Sequence, residues 1–343
     1  DFGCFACGLT NGFAVFNSEP LKCNEKQEIG GGIRIVEMLF RCNCLALVGG
    51  GDDPVFPENY VLIWDDTSKR IIAQLDLGEP VLGVRLRRDR IVVVLHTVLK
   101  VYTLTQTPKL LHTFETGANP NGVCCLSPSS QRGLLVYPSK QQSGSVTMID
   151  LTNVEPLTYE IDAHETQVAC LALNASGILL ATASKKGTII RVFHTKTTDK
   201  LFEFRRGTSP ASIFCVSFSR DSSLMSVVSN HGTIHVYSVV MPDFNDQQLR
   251  RVENRQRFLP GLFTGAAHNG AAPSLIKIHM PQADKYKKLN KRHRDQFPQT
   301  VCAFGADSKS ILVVSADGTY CKYKFDLKTR ECTRVNYAKF INE

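Results

Sequence analysis

The stretch "ATASKKGTIIRVF" at residues 181–193 contains the pattern from which the fold can be predicted. Two apolar segments flank a polar turn that ends in Gly, and the second segment begins with Thr. The same pattern returns in "SVVSNHGTIHVY" at 226–237 and in "VVSADGTYCKYKF" at 313–325. Short apolar segments on either side of a Gly-containing turn are typical of antiparallel strand pairs. The three stretches therefore predict a repeated β-hairpin.

The spacing of these hairpins indicates the architecture. Gly187 and Gly232 are 45 residues apart, and Gly144 of "SGSVTMID" lies 43 residues before Gly187. Helical periodicity is nearly absent, and a repeat of this length with four strands is typical of a β-propeller. We therefore predict an all-β, WD40-like, seven-bladed β-propeller with four antiparallel strands per blade. The predicted blades cover about 1–25, 36–77, 81–116, 122–163, 168–207, 213–280 and 300–340.

A single propeller domain is expected over residues 1–343, with an N-terminal segment missing because the chain opens without Met. Two segments interrupt the repeat, at 240–273 within the sixth blade and at 281–298 after it. The second contains the basic tract "DKYKKLNKRHRD" at 284–295. Loops of this length in a compact domain are usually functional or without fixed structure.

Composition restricts the class of protein. Hydrophobic residues make up 43% of the chain and charged residues 21%, which suits a soluble domain with a real core. The formal net charge of +8 favours anionic partners, either nucleic acid or acidic membrane surfaces. No apolar segment approaches the roughly 20 residues of a transmembrane helix, and no signal peptide is visible.

Twelve cysteines are scattered through strand-like segments, where cysteine behaves as a small buried hydrophobe. This usage indicates a reducing cytosol and no disulfide framework. Cys4 and Cys7 have C-x-x-C spacing, but on a strand their side chains would point to opposite faces, and no second pair lies at a zinc-like distance. We predict no metal site.

Enzyme motifs are also missing from the sequence. "GGGDDP" at 49–54 lacks the Lys-Ser/Thr and the helix of a nucleotide-binding loop, so it is interpreted as a turn. Asp162, His164 and Glu165 have no serine or cysteine nucleophile at a recognisable spacing. We predict no catalytic activity and no cofactor.

The fifth and sixth blades each carry a matching set of polar residues. A Ser ends the second strand, Gly-Thr begins the third strand, and a basic residue lies within the third strand. Hydroxyl groups, turn N–H groups and a guanidinium or imidazole together suit a phosphate ester. The sets are Ser184, Gly187, Thr188 and Arg191 in the fifth blade, and Ser229, Gly232, Thr233 and His235, with His231, in the sixth.

Arg205 and Arg206 lie between these sets, at the end of the outer strand of the fifth blade. Neighbouring strand residues point to opposite faces, so each arginine could complete a different anion site. In the alternative interpretation the Ser, Gly and Thr residues are turn formers and the arginines are solvated. The matched sets around the Arg pair favour phosphate binding.

The motif Phe204–Arg205–Arg206–Gly207 resembles the F/L-R-R-G signature of the PROPPINs, β-propellers that bind polyphosphoinositides and include the animal WIPI proteins. The resemblance extends over nearly the whole chain and is most similar to the compact WIPI branch. It is weakest at the insertion and in 281–298. The further segments that carry it are "VEMLFRCNCLALVGGG", "VLIWDD", "LRRDRIVVVL", "ATASKKGTIIRVF" and "SNHGTIHVY".

This resemblance implies two phosphoinositide sites, in the fifth and sixth blades, for PtdIns3P and PtdIns(3,5)P2. It also implies a membrane-inserting loop in the sixth blade, here with Phe258, Leu259, Leu262 and Phe263. The alternative for this loop is packing against the propeller edge. The implied first site contains His164, Ser184, Thr188, Arg191 and Arg205, and the second contains Arg206, Ser229, His231, Thr233 and His235.

The resemblance further implies a cytosolic protein on preautophagosomal and endosomal or lysosomal membranes, acting in autophagosome formation. Its expected partner is a lipid-transfer or conjugation-machinery protein, bound through blades two and three. A monomer is expected. The basic tract at 284–295 has no counterpart in the compact branch; it could attract acidic lipid or be solvated.

Two other functions compete with this interpretation. A protein-only propeller scaffold would have no lipid selectivity, and its arginines would be structural. Nucleic-acid binding through the basic tract would depend steeply on salt and little on Arg205 or Arg206.

Overall fold

A computed structural model describes residues 3–129, 132–153, 156–240, 271–281 and 298–341. Its strands form seven sheets that follow one another along the chain, all antiparallel apart from one short parallel pair in the fifth. This confirms the predicted fold class, an all-β chain with the organisation of a seven-bladed β-propeller. The chain divides into two compact units, Asp1–Thr158 and Tyr159–Glu343. The prediction that 1–343 is one domain stays a prediction.

The first unit holds the first three sheets and most of the fourth. The first sheet has three strands, β1 (Cys4–Leu9), β2 (Gly12–Ser18) and β3 (Leu21–Glu28). The second contains β4 (Ile33–Met38), β5 (Cys44–Gly49), β6 (Tyr60–Asp65) and β7 (Arg70–Asp76). The third contains β8 (Gly83–Arg87), β9 (Arg90–Val94), β10 (Val98–Thr103) and β11 (Leu110–Glu115). The fourth contains β12 (Cys125–Leu126), β13 (Leu134–Pro138), β14 (Ser145–Asp150) and β15 (Thr158–Asp162).

The second unit holds the fifth, sixth and seventh sheets. The fifth contains β16 (Val168–Leu173), β17 (Leu179–Ser184), β18 (Ile189–His194), β19 (Lys200–Arg205) and β23 (Ala272–Pro273). The sixth contains β20 (Ile213–Phe218), β21 (Leu224–Ser229), β22 (Thr233–Ser238) and β24 (Ile276–His279). The seventh contains β25 (Thr300–Phe304), β26 (Ser310–Ser315), β27 (Thr319–Phe325) and β28 (Cys332–Lys339).

The repeated turn has the same geometry in all three sheets of the second unit. The N–H of Gly187 donates to the carbonyl of Ser184 at 2.9 Å, and Gly232 and Gly318 repeat this bond to Ser229 and Ser315 at 3.0 Å. All three glycines have positive φ, between 59° and 76°. Because a side chain adopts this conformation less readily than glycine does, glycine is favoured at the turn. The local pattern seen in the sequence therefore fixes where β17, β21 and β26 end.

Within the second unit, consecutive sheets bury their facing surfaces against each other. In the second unit, Ala181, Ile190 and Phe204 of the fifth sheet share one core with Val227 and Tyr237 of the sixth. A further core joins the sixth sheet to the seventh. Each fully buried large apolar side chain contributes about 1.5–3 kcal/mol. These cores fix which face of each strand points inward, and so which polar side chains lie together.

An additional strand in the fifth sheet was not predicted. β23 runs parallel to β19, with Phe204 paired to Ala272 and Arg205 to Pro273. Proline is tolerated here because β23 lies at the edge of the sheet and needs no further N–H donor. The chain therefore returns beside the Arg pair before it enters β24.

Replacing Gly187 by Ala should lower the free energy of unfolding by about 2 kcal/mol or more. A Cβ at this position would lie 1.9 Å from the carbonyl oxygen of Ala211, at a φ of +59°. Urea unfolding of both proteins measures the difference. The matched control is Gly207→Ala, because Gly207 has no positive φ and a Cβ there meets nothing within 4 Å. Its effect should stay within about 0.5 kcal/mol. Equal effects of the two substitutions would contradict the conclusion that the turn at Gly187 disfavours a side chain.

Candidate functional site

The two arginines of the pair lie on opposite sides of the fifth sheet. Arg205 ends β19 opposite Ile189, and Glu203, two residues earlier, lies opposite Arg191. Directly opposed residues share a face, so Arg205, Glu203 and Arg191 lie on one face. Phe204 points to the other face and packs on Tyr237 of the sixth sheet, with ring centroids 4.8 Å apart.

Most of the first predicted set gathers on the Arg205 face. Thr182 pairs with Arg191, and Ser184 follows two residues later on the same strand, so both belong to this face. His164 reaches the set from the connection before β16, with its Nε2 2.9 Å from Thr182 Oγ1. Thr188 is buried in the turn before β18, and its carbonyl accepts the backbone N–H of Arg206 at 2.9 Å.

Arg191 is held in place by an acidic residue that the sequence analysis missed. Its Nε donates to Glu203 Oε2 at 2.8 Å, and its Nη1 donates to the carbonyl of Ala163 at 2.7 Å. Lys200 also contacts Glu203, at 3.0 Å. Burial alone would raise the pKa of Glu203, but the hydrogen bonds from Lys200 and Arg191 outweigh it and hold that pKa below its ordinary value. Glu203 therefore stays ionised and offsets the charge of Arg191.

Arg205 differs from Arg191 in having an uncompensated charge. Its side chain is exposed and makes no ion pair or side-chain hydrogen bond with the residues that the structure describes. Its backbone is nevertheless fixed, because Tyr237 donates its hydroxyl to the Arg205 carbonyl at 3.2 Å. The first set thus presents one available cation beside buried hydroxyl groups.

The histidine of the first set is neutral at physiological pH. Burial, and then the positive charge of Arg191, lower the pKa of His164 from 6.5 to about 4. Charging a buried imidazole next to a cation is unfavourable. His164 can therefore donate or accept a hydrogen bond, but it brings no charge of its own.

Arg206 is buried on the side of the fifth sheet that faces the sixth. Its Nε donates to the carbonyl of Gly187 at 2.5 Å, its Nη2 donates to the carbonyl of Ser209, and its Nη1 lies 3.4 Å from His231 Nδ1. Burial lowers the pKa of the guanidinium, yet an arginine stays protonated in proteins. The carbonyl groups orient the side chain without neutralising it.

The remaining members of the second set lie on the facing surface of the sixth sheet. Ser229, Thr233 and His235 have the same strand parity as Val227 and Tyr237, which pack against the fifth sheet. All three of these polar side chains are buried. The N–H of His231 lies 3.5 Å from Ser229 Oγ. The structure thus brings Arg206 and His231 to the same face as the other three residues.

His235 is held by a residue that the sequence analysis did not single out. Its Nδ1 lies 3.2 Å from the hydroxyl of Ser274, which follows β23. Burial lowers the pKa of His235 to about 4, and the charges of Arg206, Lys277, His279 and His231 act in the same direction. Like His164, it is neutral at pH 7.

The other predicted features fall into two groups. Phe258, Leu259, Leu262, Phe263 and the basic tract at 284–295 lie outside the described residues. The twelve cysteines are free thiols, and Cys4 and Cys7 lie on β1 opposite Asn17 and Ala14. Within the described ranges, no three His, Cys, Asp or Glu side chains are arranged to hold a metal ion. None of the helices in that part of the chain has the length and hydropathy needed to cross a membrane.

Known proteins with a similar sequence or fold are consistent with the order of sheets described above. The family model described as PROPPIN matches residues 4–335. Autophagy-related protein 18 of Yarrowia lipolytica is 40% identical over 384 aligned residues, covering 100% of this chain and 95% of the relative. Solved structures with a similar fold include Kluyveromyces lactis Hsv2, with a TM-score of 0.77 at 24% identity and coverage of 99% and 97% of the two chains.

A second similar structure is a complex of KlAtg21 with the coiled coil of AgAtg16, with a TM-score of 0.75 at 24% identity, covering 99% of this chain and 96% of that one. At this level of identity the likeness of the structures concerns the fold alone. The family model covers almost every described strand, and the fungal relative aligns over the full chain. These two matches show that the chain belongs to the PROPPIN family.

Proposed function

We propose that this protein is a phosphoinositide effector that binds PtdIns3P and PtdIns(3,5)P2 and acts as a membrane-recruited scaffold in autophagosome formation. The main observation in support is that Arg205 and Arg206, although consecutive, lie on opposite faces of the fifth sheet. Each lies beside its own set of hydroxyl and imidazole groups. Such groups are the usual donors to a phosphate ester. Binding of lipid, not catalysis, is the activity that these sets support best.

In the first site, Arg205 supplies the charge that meets the phosphate. The hydroxyl groups of Ser184 and Thr188 and the imidazole of His164 offer neutral hydrogen bonds, because His164 is uncharged in the unliganded protein. Arg191 contributes its remaining donors while Glu203 holds it in place. Each hydrogen bond to a charged group contributes about 1.5–3 kcal/mol.

In the second site, Arg206 is oriented before any ligand arrives. Two backbone carbonyls and His231 occupy part of its donor set, which leaves its positive charge available to an anion. Ser229, Thr233 and His235 add polar groups from the sixth sheet. A preorganised site loses little conformational freedom when the ligand binds.

Membrane attachment would combine these sites with the 240–273 loop. Two headgroup sites on one surface raise the avidity without any new contact. Phe258, Leu259, Leu262 and Phe263 would add about 1.5–3 kcal/mol for each large side chain that is fully buried in the bilayer. We expect a cytosolic monomer that is peripheral on preautophagosomal and endosomal or lysosomal membranes.

A protein partner is proposed as well. A relative at 40% identity is named autophagy-related protein 18, and a structure of the same fold holds KlAtg21 with a coiled coil of AgAtg16. We infer a partner from the lipid-transfer or conjugation machinery of autophagy, bound through the second and third sheets.

A protein-only scaffold is the second candidate, and one observation favours it. Arg206 is buried and bound to the carbonyls of Gly187 and Ser209, as a purely structural arginine would be. Arg205 does not favour the protein-only scaffold, because it is exposed and has no partner among the described side chains. The two functions are therefore best separated by changing Arg205.

Arg205→Thr should weaken binding to PtdIns3P vesicles by about tenfold, the loss expected for one charge-assisted contact. Its melting temperature should equal that of the wild type, since the exposed side chain supports no described contact. Vesicle co-flotation and thermal unfolding measure the two quantities. Arg220→Thr is the matched control: an exposed arginine in the turn between β20 and β21 without a described ion pair, which should bind normally. Equal binding by Arg205→Thr and the control would favour the protein-only scaffold.

Arg206→Thr should reduce both lipid binding and the free energy of unfolding. The substitution leaves the carbonyls of Gly187 and Ser209 without their donor, at a cost of about 1–3 kcal/mol. Urea unfolding of Arg206→Thr and Arg205→Thr, measured side by side, compares the effects of the two substitutions on the free energy of unfolding. An unchanged stability would contradict the buried position of Arg206.

The unliganded protein should lose stability as the pH falls from about 6.5 towards 4. His164 has a pKa of about 4 in the folded protein and 6.5 ordinarily, so below pH 6.5 the unfolded chain binds the proton first. The loss approaches about 3 kcal/mol for this residue. Urea unfolding across this range should show a shallower loss for His164→Gln than for the wild type. His96→Gln, an exposed control, should follow the wild type. Parallel curves for His164→Gln and the wild type would refute the prediction.

A further inference from the structure

The edge strand β24 brings two basic residues to the second set that the sequence analysis did not assign. In the antiparallel pairing with β22, His279 lies opposite Thr233 and Lys277 lies opposite His235. Directly opposed residues share a face, with Cβ atoms about 4.5–5.5 Å apart. The side-chain contact between Thr233 Oγ1 and His279 Nδ1, at 3.3 Å, agrees with this placement.

Lys277 and His279 are both exposed, whereas Thr233 and His235 beside them are buried. The polar face of the sixth sheet therefore continues from a buried inner part on β22 to an accessible outer part on β24. Lys277 makes no hydrogen bond or ion pair with any residue in the described ranges. Its charge is available to a ligand that reaches beyond Arg206.

The electrostatics of His235 show that these charges converge. Besides burial, the groups that lower its pKa are Arg206, Lys277, His279 and His231, all of them basic. No carboxylate stands among the groups that shift this pKa. The first site differs here, since Glu203 contacts both Arg191 and Lys200. The second set thus gathers basic groups around His235, with Arg206 at its inner end and Lys277 on the edge strand.

We propose that Lys277 is a binding residue of the second site and makes it selective for a headgroup with two phosphate monoesters over a headgroup with one. One phosphate meets Arg206 with Ser229 and Thr233, and the other meets Lys277 with His279 on β24. The inference rests on the proposed function of the second site. It assigns PtdIns(3,5)P2, or a soluble inositol phosphate of the same chemistry, to this site.

The geometry explains why one phosphate would gain little from Lys277. A phosphate seated at Arg206 lies on the inner part of the face, one strand away from β24, and neighbouring strands are about 4.8 Å apart. A second phosphate on the same inositol ring reaches outward, towards the edge strand. Lysine acts there as a point charge on a flexible stem, which suits a group at the rim of a site.

The test uses the full chain with the first site disabled by Arg205→Thr. In that background, Lys277→Gln is compared with unmodified Lys277 on phosphatidylcholine vesicles that carry PtdIns3P or PtdIns(3,5)P2. A third arm uses soluble inositol 1,3,5-trisphosphate in isothermal titration calorimetry. Lys324→Gln is the matched control, since Lys324 is an exposed strand lysine of the seventh sheet without a described ion pair. Lys277→Arg keeps the charge.

We expect Lys277→Gln to weaken binding of PtdIns(3,5)P2 vesicles by about tenfold, as for one charge-assisted contact, and to leave PtdIns3P binding nearly unchanged. Lys277→Arg and Lys324→Gln should preserve the ratio between the two lipids. A matching loss for the soluble headgroup assigns recognition to the phosphates alone, whereas a loss confined to vesicles assigns it to the membrane-bound headgroup; either result supports the role of Lys277.

Two outcomes overturn the inference and can be told apart. If Lys277→Gln reduces binding of both lipids equally, or of neither, Lys277 does not discriminate between them, although the proposed function of the site stands. If the Arg205→Thr background binds neither lipid while its melting temperature is unchanged, the second site does not bind lipid alone. That result overturns the proposed function of the second site together with the inference.

Discussion

The period-two pleat of β19 is the constraint on which both sites depend. Phe204 is buried in the core between the fifth and sixth sheets, and this fixes the direction of every neighbouring side chain on the strand. Glu203 and Arg205 must then point to the opposite face of the fifth sheet, and Arg206 must point to the same side as Phe204. A slip of one residue would move Arg205 into an apolar core and Phe204 onto the polar face with Thr182 and Arg191. Hydrophobic packing therefore sets the positions of the charged groups.

Arg206 and Arg191 are stabilised by different kinds of partner. Arg206 is removed from water, so its guanidinium needs partners, and backbone carbonyls supply them. Carbonyl groups orient the cation and leave its net charge intact. Glu203, by contrast, orients Arg191 and also cancels much of its charge. Arg205 differs from both, because it is exposed and has no ion pair among the described residues.

Local sequence was sufficient to predict the succession of sheets, whereas the role of both sets in binding stays a prediction. The Ser-x-x-Gly turn is encoded by four neighbouring residues, so its recurrence marked β17, β21 and β26 correctly. Strand parity also placed Arg205 and Arg206 on opposite faces. Glu203 was missed although the same parity would have revealed it, opposite Arg191 and two residues before Arg205.

Other features could not be obtained from local patterns. β23 pairs with β19 across more than 60 residues of chain, and its two residues, Ala272 and Pro273, carry no strand signal of their own. The contact between Ser274 and His235 depends on the same return of the chain. Long-range pairing of this kind is decided by tertiary packing, which overrides weak local preference.

The return of the chain connects the two sites physically. From β23, which is paired to Arg205, the backbone passes Ser274, bound to His235, and continues into β24 beside Thr233. Residues 272–279 thus contact the strand of the first candidate set and lie beside the second. Members of both candidate sets are therefore contacted by one short, hydrogen-bonded stretch of chain.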